Sequence, residues 1–382
     1  MIQIHSKSDC CGCSACASVC AHGAIQMQPD ALGFLYPVVD VTRCVDCGLC
    51  DQVCAFHDHY ATDQNLALPR VLAVRHTCDA EIDTSRSGAM FTALTDYIFQ
   101  QGGVVYGAGY TDHFRVVHKR VTNKQECFEL KGSKYVQSDI RGIFKSVRQD
   151  LKEGKIVLFS GTPCQTSGLR SYIPLNYQKQ LYVCDIVCHG TPSPFVWRDY
   201  LQYQESKMKS TAVQVSFRDK AKGWRAHIES FVFQNGKKVY ADIYTFLFYK
   251  HIMFRPSCSV CHFTNLKRPS DITLADFWGW EKVDPQFNAD DRGCSLVLIN
   301  TPKGAELFSQ VQDQLHYLEA DTEKCLQPNL QAPSTFSPEY EQFCQDYASH
   351  GFLYVLKKYG NTGLICRTKR FVKRILKKWL RR

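Results

Sequence analysis

The sequence predicts a mixed α/β protein preceded by a small cysteine-rich module. Three observations support this fold class: a duplicated cysteine pattern near the N-terminus, alternating strand-like and helix-like segments after residue 70, and further strand-like segments joined by an Asn-Gly turn. The chain has 382 residues, 45% of them hydrophobic, which is enough for two or three domains. Alternating strands and helices are typical of a parallel or mixed sheet whose site lies at the strand ends.

Two cysteine runs near the start of the chain repeat one spacing. Residues 10–20 read CCGCSACASVC and residues 44–54 read CVDCGLCDQVC, so both contain C-x2-C-x2-C-x3-C. This spacing is that of bacterial-type ferredoxins with two 4Fe–4S clusters, in which the fourth cysteine of each run ligates the other cluster. The predicted ligands are Cys10, Cys13, Cys16 and Cys54 for one cluster, and Cys20, Cys44, Cys47 and Cys50 for the other.

The module carries two departures from this pattern. Ala21 and Ala55 stand where a proline usually follows the fourth cysteine, and Cys11 is surplus by spacing, so we expect no ligand role for it. Two zinc sites are the alternative, although zinc would not require the crossed duplication. The residues before Pro69 are polar and predict a linker, so we place the ferredoxin-like domain at residues 1–60.

The next region, residues 70–155, alternates strands and helices. RVLAVRH predicts a strand, SGAMFTALTDYIFQQ a helix that ends at the two glycines after it, and VVYGAGY and FRVVHKRV two more strands. Asp139 predicts the N-cap of a second helix, because the apolar residues that follow recur at helical spacing. We interpret this region as the first part of a ligand-binding domain.

Residues 156–320 are predicted to continue the same domain. KIVLFSGTPCQTSGLRSYI predicts a buried strand, a tight loop and a helix, and LYVCDIVCHGTPSPFVWRDYLQYQ repeats that order. VQVSFRDK, HIESFVF and KKVYADI predict strands, the last two joined as a hairpin across Asn235-Gly236. A helical segment is expected over residues 321–366.

A C-x-x-C-H motif at residues 258–262 is ambiguous by itself. It has the spacing of covalent c-type haem attachment, but that attachment generally occurs outside the cytoplasm and the N-terminus has no export pattern. Two further cysteines each follow a predicted buried strand and could point into one crevice. A third 4Fe–4S cluster would then be held by Cys164, Cys188, Cys258 and Cys261. Zinc at the same thiolates, replacement of one ligand by Cys184, and buried structural cysteines are the alternatives.

Several separated motifs together carry a family resemblance. SGAMFTAL, GGVVYGA, GSKYVQS, LFSGTPCQ, CHGTPSP and RPSDITLADFWG follow the ferredoxin-like module in this order. Over about residues 1–320 the chain closely resembles the coenzyme F-420 hydrogenase/dehydrogenase beta-subunit family. The resemblance implies an FAD-containing α/β domain that passes electrons between iron–sulfur clusters and a two-electron carrier or small substrate. A flavin suits this role because it exchanges both single electrons and hydrides.

The resemblance also implies which residues contact the flavin. These are Ser85, Ser87, Gly88, Gly132, Ser133, Lys134 and Tyr135. Small residues at 85–88 would permit close backbone approach, although Ala89 stands where a second glycine is expected. Lys134 could face a phosphate or the negative charge of a reduced ring, and a solvated lysine on a glycine-hinged loop is the alternative.

The LADFWGW segment and two histidines add candidate residues. Asp276 follows a strand-like segment and could orient a ligand, so we include it among the cofactor-binding residues. Phe277, Trp278 and Trp280 either wall the flavin pocket or belong to the core. His189 and His262 lie beside predicted ligand cysteines and either relay protons or are ordinary surface histidines.

The formal net charge of +9 is unevenly distributed. Residues 367–382 read RTKRFVKRILKKWLRR and hold nine Lys or Arg, so the rest of the chain is nearly neutral and nucleic-acid binding is not expected. Apolar residues recur at helical spacing in this tail, which is typical of a helix lying on an anionic membrane surface. A solubilising tail or a partner-docking helix is the alternative. We expect a cytoplasmic protein with peripheral contact to the membrane.

The combined expectation is an iron–sulfur flavoprotein oxidoreductase. A ferredoxin or other redox protein would be its electron donor or acceptor, and a small molecule its substrate. The alternative is a non-catalytic electron-transfer subunit that docks on a separate oxidoreductase. The tail further suggests a role near the membrane in surface-polysaccharide metabolism.

Overall fold

A small two-stranded sheet and two short helices form the N-terminal module. In the computed structural model, which describes residues 1–57 and 60–362, strand β1 (Ile25–Pro29) pairs antiparallel with β2 (Leu35–Val39). Helices α1 (Ala15–Val19) and α2 (Leu49–Gln52) each begin inside a cysteine run. The predicted ferredoxin-like domain is confirmed.

The rest of the chain is a mixed α/β domain, as predicted. Its strands are β3 (Arg70–His76), β4 (Val104–Tyr110), β5 (Val116–Val121), β6 (Val157–Gly161), β7 (Leu181–Ile186), β8 (Ala212–Ser216), β9 (Glu229–Phe233), β10 (Lys238–Ala241), β11 (Ile272–Asp276), β12 (Ser295–Ile299) and β13 (Leu315–Ala320). An eight-stranded sheet has the order β13-β3-β12-β11-β7-β6-β4-β5, and β10-β9-β8 form a separate antiparallel sheet that contains the predicted Asn235-Gly236 hairpin.

The same domain contains eleven α-helices among the described residues. They are α3 (Asp79–Thr84), α4 (Met90–Gln100), α5 (Lys124–Cys127), α6 (Ile143–Lys152), α7 (Pro163–Tyr172), α8 (Pro194–Met208), α9 (Ile243–Tyr249), α10 (Pro302–Ser309), α11 (Thr322–Cys325), α12 (Tyr340–His350) and α13 (Phe352–Tyr359). Among the residues described, no helix has the length and apolarity needed to cross a membrane. The predicted amphipathic tail, residues 367–382, lies outside the described residues.

Four neighbouring strands of the large sheet run in the same direction. β4 pairs parallel with β6, β6 with β7, and β7 with β11. Their carboxyl ends therefore meet at one edge of the sheet, where α/β proteins usually bind ligands. β12 runs antiparallel to β11, so that Ser295 at its start pairs with Asp276 at the same edge.

The predicted start of the helix near Asp139 is wrong. α6 begins at Ile143, after Gly142 with a φ of +80°. Asp139 instead continues the sheet edge: its N–H donates to the carbonyl of Val116 at 3.0 Å, and its carbonyl accepts from the His118 N–H at 2.9 Å. Its carboxylate binds Arg141, so it stabilises the turn before the helix and is not the cap.

Arg255 attaches the N-terminal module to the α/β domain. Its side chain is buried, and Nε donates to the carbonyl of Cys10 at 2.7 Å while Nη2 donates to that of Leu35 at 2.9 Å. Nη1 donates to the Gln137 side chain at 2.9 Å, and the Gln137 amide donates to the carbonyl of Cys11 at 3.0 Å. One guanidinium thus joins the first cysteine run, β2 and the loop before α6.

We expect Arg255→Ala to destabilise the protein strongly. The substitution leaves several buried carbonyl groups without a donor and opens a cavity, which costs on the order of 3 kcal/mol. The melting temperature of the cluster-loaded protein, measured anaerobically, should fall by several degrees. Arg115→Ala is the control, because the Arg115 side chain is largely exposed. Equal melting temperatures for the two variants would contradict this role for Arg255.

Candidate functional site

Three candidate residues lie at the carboxyl edge of the parallel strands. Cys164 is in the first turn of α7, directly after β6, and Cys188 lies two residues beyond β7. Asp276 is the last residue of β11. The parallel order β6-β7-β11 therefore brings two cysteines and one carboxylate to neighbouring positions along one edge.

The four cysteines predicted for a third cluster do face one cleft. Together with Cys11 they line a cleft of about 440 Å³, a volume that includes its solvent-open part. Cys258 and Cys261 are presented by a 3-10 turn over residues 256–260. The N–H of Thr191 points at the Cys258 sulfur from 3.4 Å, a contact that favours a thiolate.

Cys184 is not among these cysteines. It lies within β7, with its side chain in the buried core on Ile272 and Val297. Cys184 does not line the cleft that the four predicted ligands share.

Cys11 has a place that its spacing did not indicate. Its buried side chain packs in one group with the side chains of Cys13 and Cys164. Phe56 and Phe263 pack against the same group of cysteines and exclude water from it. Cys11 is thus the residue of the first cysteine run that lines the cleft. The one feature of the sequence that set it apart was that the ligand spacing does not use it.

The cysteines of the N-terminal module are partly buried together. Cys16, Cys20, Cys50 and Cys54 belong to one packed group. Backbone N–H groups point at two of their sulfurs: that of Ile2 lies 3.2 Å from the Cys50 sulfur and that of Ala24 lies 3.4 Å from the Cys20 sulfur. Such hydrogen bonds tune the reduction potential of a cluster. Across residues 1–57 and 60–362, no three His, Cys, Asp or Glu side chains converge closely enough to chelate a single metal ion.

Asp276 lies at the centre of a polar group at the sheet edge. Its Oδ2 is 3.6 Å from Arg86 Nε and 3.5 Å from Arg218 Nη2, and its Oδ1 accepts from the Trp224 indole N–H at 3.3 Å. Arg218 Nη1 donates to the Tyr135 hydroxyl at 3.0 Å. The structure therefore joins two predicted cofactor residues, Tyr135 and Asp276, through Arg218. Sequence reasoning missed both Arg218 and Arg86.

Of the three aromatic residues after Asp276, one is at the surface. Phe277 and Trp280 are buried in the core. Trp278 is 37% exposed and stacks on Trp224, with ring centroids 4.5 Å apart. His227 lies 5.7 Å from Trp278 on a nearly parallel plane, so the exposed tryptophan belongs to an aromatic stack beside the arginines.

The turn at residues 85–88 packs tightly on the sheet. A Cβ on Gly88 would lie 2.0 Å from the carbonyl oxygen of Val74, so no side chain fits there. The Ser87 hydroxyl donates to the carbonyl of Cys294, and the Gly88 N–H donates to the Ser295 hydroxyl. Packing thus requires a glycine at position 88, and the Arg86 side chain lies against Asp276.

Lys134 is directed inward. Its ammonium donates to the carbonyls of Glu129 and Lys131 at 2.8 and 2.9 Å and lies 5.5 Å from the Tyr110 ring centroid. Burial lowers its pKa to about 7. It is therefore not a solvated lysine, and its donors are already engaged by backbone oxygens. Gly132, with a φ of +81°, has open space around it.

The two candidate histidines lie in different surroundings. His189 Nε2 is 2.6 Å from His251 Nε2, and its ring meets that of Tyr249 edge-on at 5.7 Å. Burial and the neighbouring His251 lower its pKa to about 4, so it is neutral at pH 7. His262 stacks on Phe56 with ring centroids 4.4 Å apart.

Two family models match the chain, one in each of its parts. Residues 9–57 match the 4Fe–4S dicluster domain, which implies two clusters, and residues 154–324 match the C terminus of the coenzyme F420 hydrogenase/dehydrogenase beta subunit. A chain in the xenon-derivatised F420-reducing NiFe hydrogenase complex from Methanosarcina barkeri is 16% identical, with a TM-score of 0.46, covering 76% of this chain and 91% of that one. No curated protein matches the chain.

We expect Gly168→Ala to lower the iron content. Gly168 lies in α7, and a Cβ there would be 2.7 Å from the Cys13 sulfur and 2.9 Å from the Cys13 Cβ, so the methyl group must displace a predicted cluster ligand. Ser171→Ala in the same helix is the control. Iron per chain, measured after anaerobic purification, should fall by about four for Gly168→Ala alone. Full iron content in Gly168→Ala would show that the cysteine tolerates the shift.

Proposed function

We propose that the protein is an iron–sulfur flavoprotein oxidoreductase, because residues 9–57 match the 4Fe–4S dicluster domain and residues 154–324 match the C terminus of the coenzyme F420 hydrogenase/dehydrogenase beta subunit. It would pass electrons between 4Fe–4S clusters and FAD to reduce or oxidise a two-electron carrier or small substrate. The observation that carries this proposal is the cleft lined by Cys164, Cys188 and the C-x-x-C pair.

Four thiols around one cleft suit a third cluster. The cleft lies at the carboxyl edge of the parallel strands, and Cys164 and Cys188 are held there by the ends of β6 and β7. Iron–sulfur clusters supply one-electron transfer, and a flavin supplies the conversion between single electrons and a hydride. Thr191 and Arg255 add N–H groups toward the sulfurs of Cys258 and Cys10, which would stabilise thiolate ligands.

The cleft has close contacts to both neighbouring regions. On one side Cys11 joins Cys164 to Cys13 of the first cysteine run. On the other side His189, next to Cys188, contacts Tyr249, whose hydroxyl is hydrogen-bonded to His227. This second series ends at the stack of Trp278 and Trp224, beside the predicted flavin residues Tyr135 and Asp276. A cluster in the cleft would therefore lie between the dicluster module and the flavin region.

A redox protein is the proposed electron donor or acceptor. Cys47 is exposed, and three apolar residues around it in the sequence, Val41, Val45 and Leu49, are also exposed at 70%, 59% and 43%. Solvent-exposed apolar side chains next to a cluster suit transient docking of a ferredoxin or a similar partner. The corresponding face of the first cysteine run is covered by the α/β domain through Arg255.

A second candidate is an electron-transfer subunit without a substrate of its own. It is favoured by the match to a beta subunit and by the same exposed apolar side chains, which could dock on a separate oxidoreductase. Direct substrate reduction by the purified chain would favour the first proposal, and activity that appears only with a second protein would favour this one. The surface-polysaccharide role was expected from residues 367–382, which lie outside the described residues.

We expect about twelve irons and one FAD per chain after anaerobic purification. Replacing Cys258 and Cys261 together by Ser should remove the cluster in the cleft and lower the iron content to about eight, because serine oxygens replace two of its four thiolates. Cys184→Ala is the matched control, since this cysteine lies in the core away from the cleft. Electron paramagnetic resonance of the reduced protein would show which cluster is lost.

Two results would contradict the proposal. An unchanged iron content in the Cys258 and Cys261 double variant would show that these cysteines hold no third cluster. About eight irons and no flavin in the parent protein would show that the chain is a dicluster module joined to an α/β domain with another role.

A further inference from the structure

A buried pair of arginines shares a single carboxylate beside the exposed aromatic stack. The Arg86 and Arg218 side chains are 10% and 3% exposed, and Asp276 is the acidic side chain that contacts both. Both Nη2 groups also donate to the carbonyl of Trp224. Two guanidinium groups with one carboxylate leave one positive charge without a counter-charge, which is costly inside a protein.

Three donor nitrogens of this pair have no hydrogen-bond acceptor among the described residues. In the described part of the chain, Arg86 Nε and Nη1 and Arg218 Nε are buried and have no hydrogen-bond partner. Buried polar groups in native proteins are nearly always hydrogen-bonded, so each such donor requires an explanation. Donors on two planar guanidinium groups fit the several oxygens of a phosphate or carboxylate.

The other charged groups nearby do not supply the missing counter-charge. The Lys220 ammonium donates to the carbonyl of Ile82 and adds a further positive charge. Asp83 is paired with Arg292 at 2.9 Å. Burial and the adjacent Arg86 lower the pKa of Lys220 to about 8, which agrees with an excess of positive charge.

Two other acids of the surrounding segments are also engaged. Asp219 is paired with Lys238 at 2.8 Å, and Asp291 lies 3.7 Å from Arg225. Neither forms an ion pair with Arg86 or Arg218.

We propose that Arg86 and Arg218 form an oxyanion site, which takes the phosphate or carboxylate group of a ligand whose planar part lies against Trp278. Trp278 is half of the aromatic stack, and the Arg218 guanidinium lies 5.7 Å from its ring centroid. The tryptophan is partly exposed and marks the side from which a ligand enters. The site is distinct from the cysteine cleft and unites three separate segments, at residues 86, 218 and 276.

Two ligands share this chemistry. One is the diphosphate of FAD itself, and the other is an anionic substrate that binds beside the flavin. The choice between them rests on the proposed function, whereas the oxyanion site follows from the buried donors alone.

The test measures binding of inorganic pyrophosphate to the full, cluster-loaded chain by calorimetry at low salt. It is performed on flavin-loaded protein and on protein from which flavin has been removed. One site is expected in at least one of the two forms. Arg218→Gln and, independently, Arg86→Gln should each weaken that binding at least about tenfold, because each removes charged donors from the anion.

The control variant is Arg225→Gln. Arg225 lies in the same segment as Trp224 but is 56% exposed and paired with Glu281. It should bind pyrophosphate as the parent protein does. Iron content and melting temperature establish that the variants are folded, and Arg218→Lys, which keeps the charge, should recover part of the affinity.

A comparison of FAD with riboflavin, which lacks phosphate, identifies the source of the anion. If the site holds the FAD diphosphate, bound FAD blocks pyrophosphate, and Arg218→Gln weakens FAD but not riboflavin. If it holds an anionic substrate, flavin-loaded protein still binds pyrophosphate and the FAD affinity is unchanged. Either result supports the site.

The site is overturned if pyrophosphate binds to neither form, or if both arginine variants weaken binding no more than Arg225→Gln does. A protein that binds pyrophosphate through these arginines but takes up no flavin would retain the oxyanion site and refute the flavoprotein proposal. The two failures are therefore distinguishable.

Discussion

The arrangement of the whole molecule depends on the buried guanidinium of Arg255. It lies three residues before Cys258, and it binds backbone carbonyls of the N-terminal module together with Gln137 of the α/β domain. A charged side chain is stable in such a position because each of its nitrogens has an acceptor. The same contact brings the first cysteine run against α7, so that Cys11 reaches Cys164. The order of the proposed redox sites thus follows from one docking contact.

The direction of the strands determines where the second half of the site lies. Four parallel strands end at one edge, and β12 starts there because it runs antiparallel to β11. Cys164, Cys188 and Asp276 come from three of these ends, and the turn at 85–88 packs on the start of β12. The cysteine cleft and the two arginines therefore both lie at one edge of the same sheet.

The sequence predicted what depends on local spacing and missed what depends on docking. The crossed cysteine runs and the cleft cysteines could be found because ligand spacing and strand ends are local features. Cys11 could not, because its role arises only when the module meets α7. The helix was predicted to begin near Asp139 because the helical spacing of apolar residues already starts in the turn before Gly142. The helix itself begins at Ile143. The small residue at Gly88 was interpreted as room for a flavin; in the fold the group that approaches it closely is the carbonyl of Val74.

The buried arginines show why partner counting separates structural from ligand-binding charges. Arg255 is buried with an acceptor for each nitrogen, so nothing further is needed to stabilise it. Arg268 is equally buried but has its own carboxylate, Asp185, at 2.8 Å. Arg86 and Arg218 differ from both, because two buried guanidinium groups share the single carboxylate of Asp276. An unsatisfied charge costs several kcal/mol, and a protein retains that cost where a ligand removes it. Arginine thus joins two domains at position 255, and at positions 86 and 218 it forms the proposed anion site.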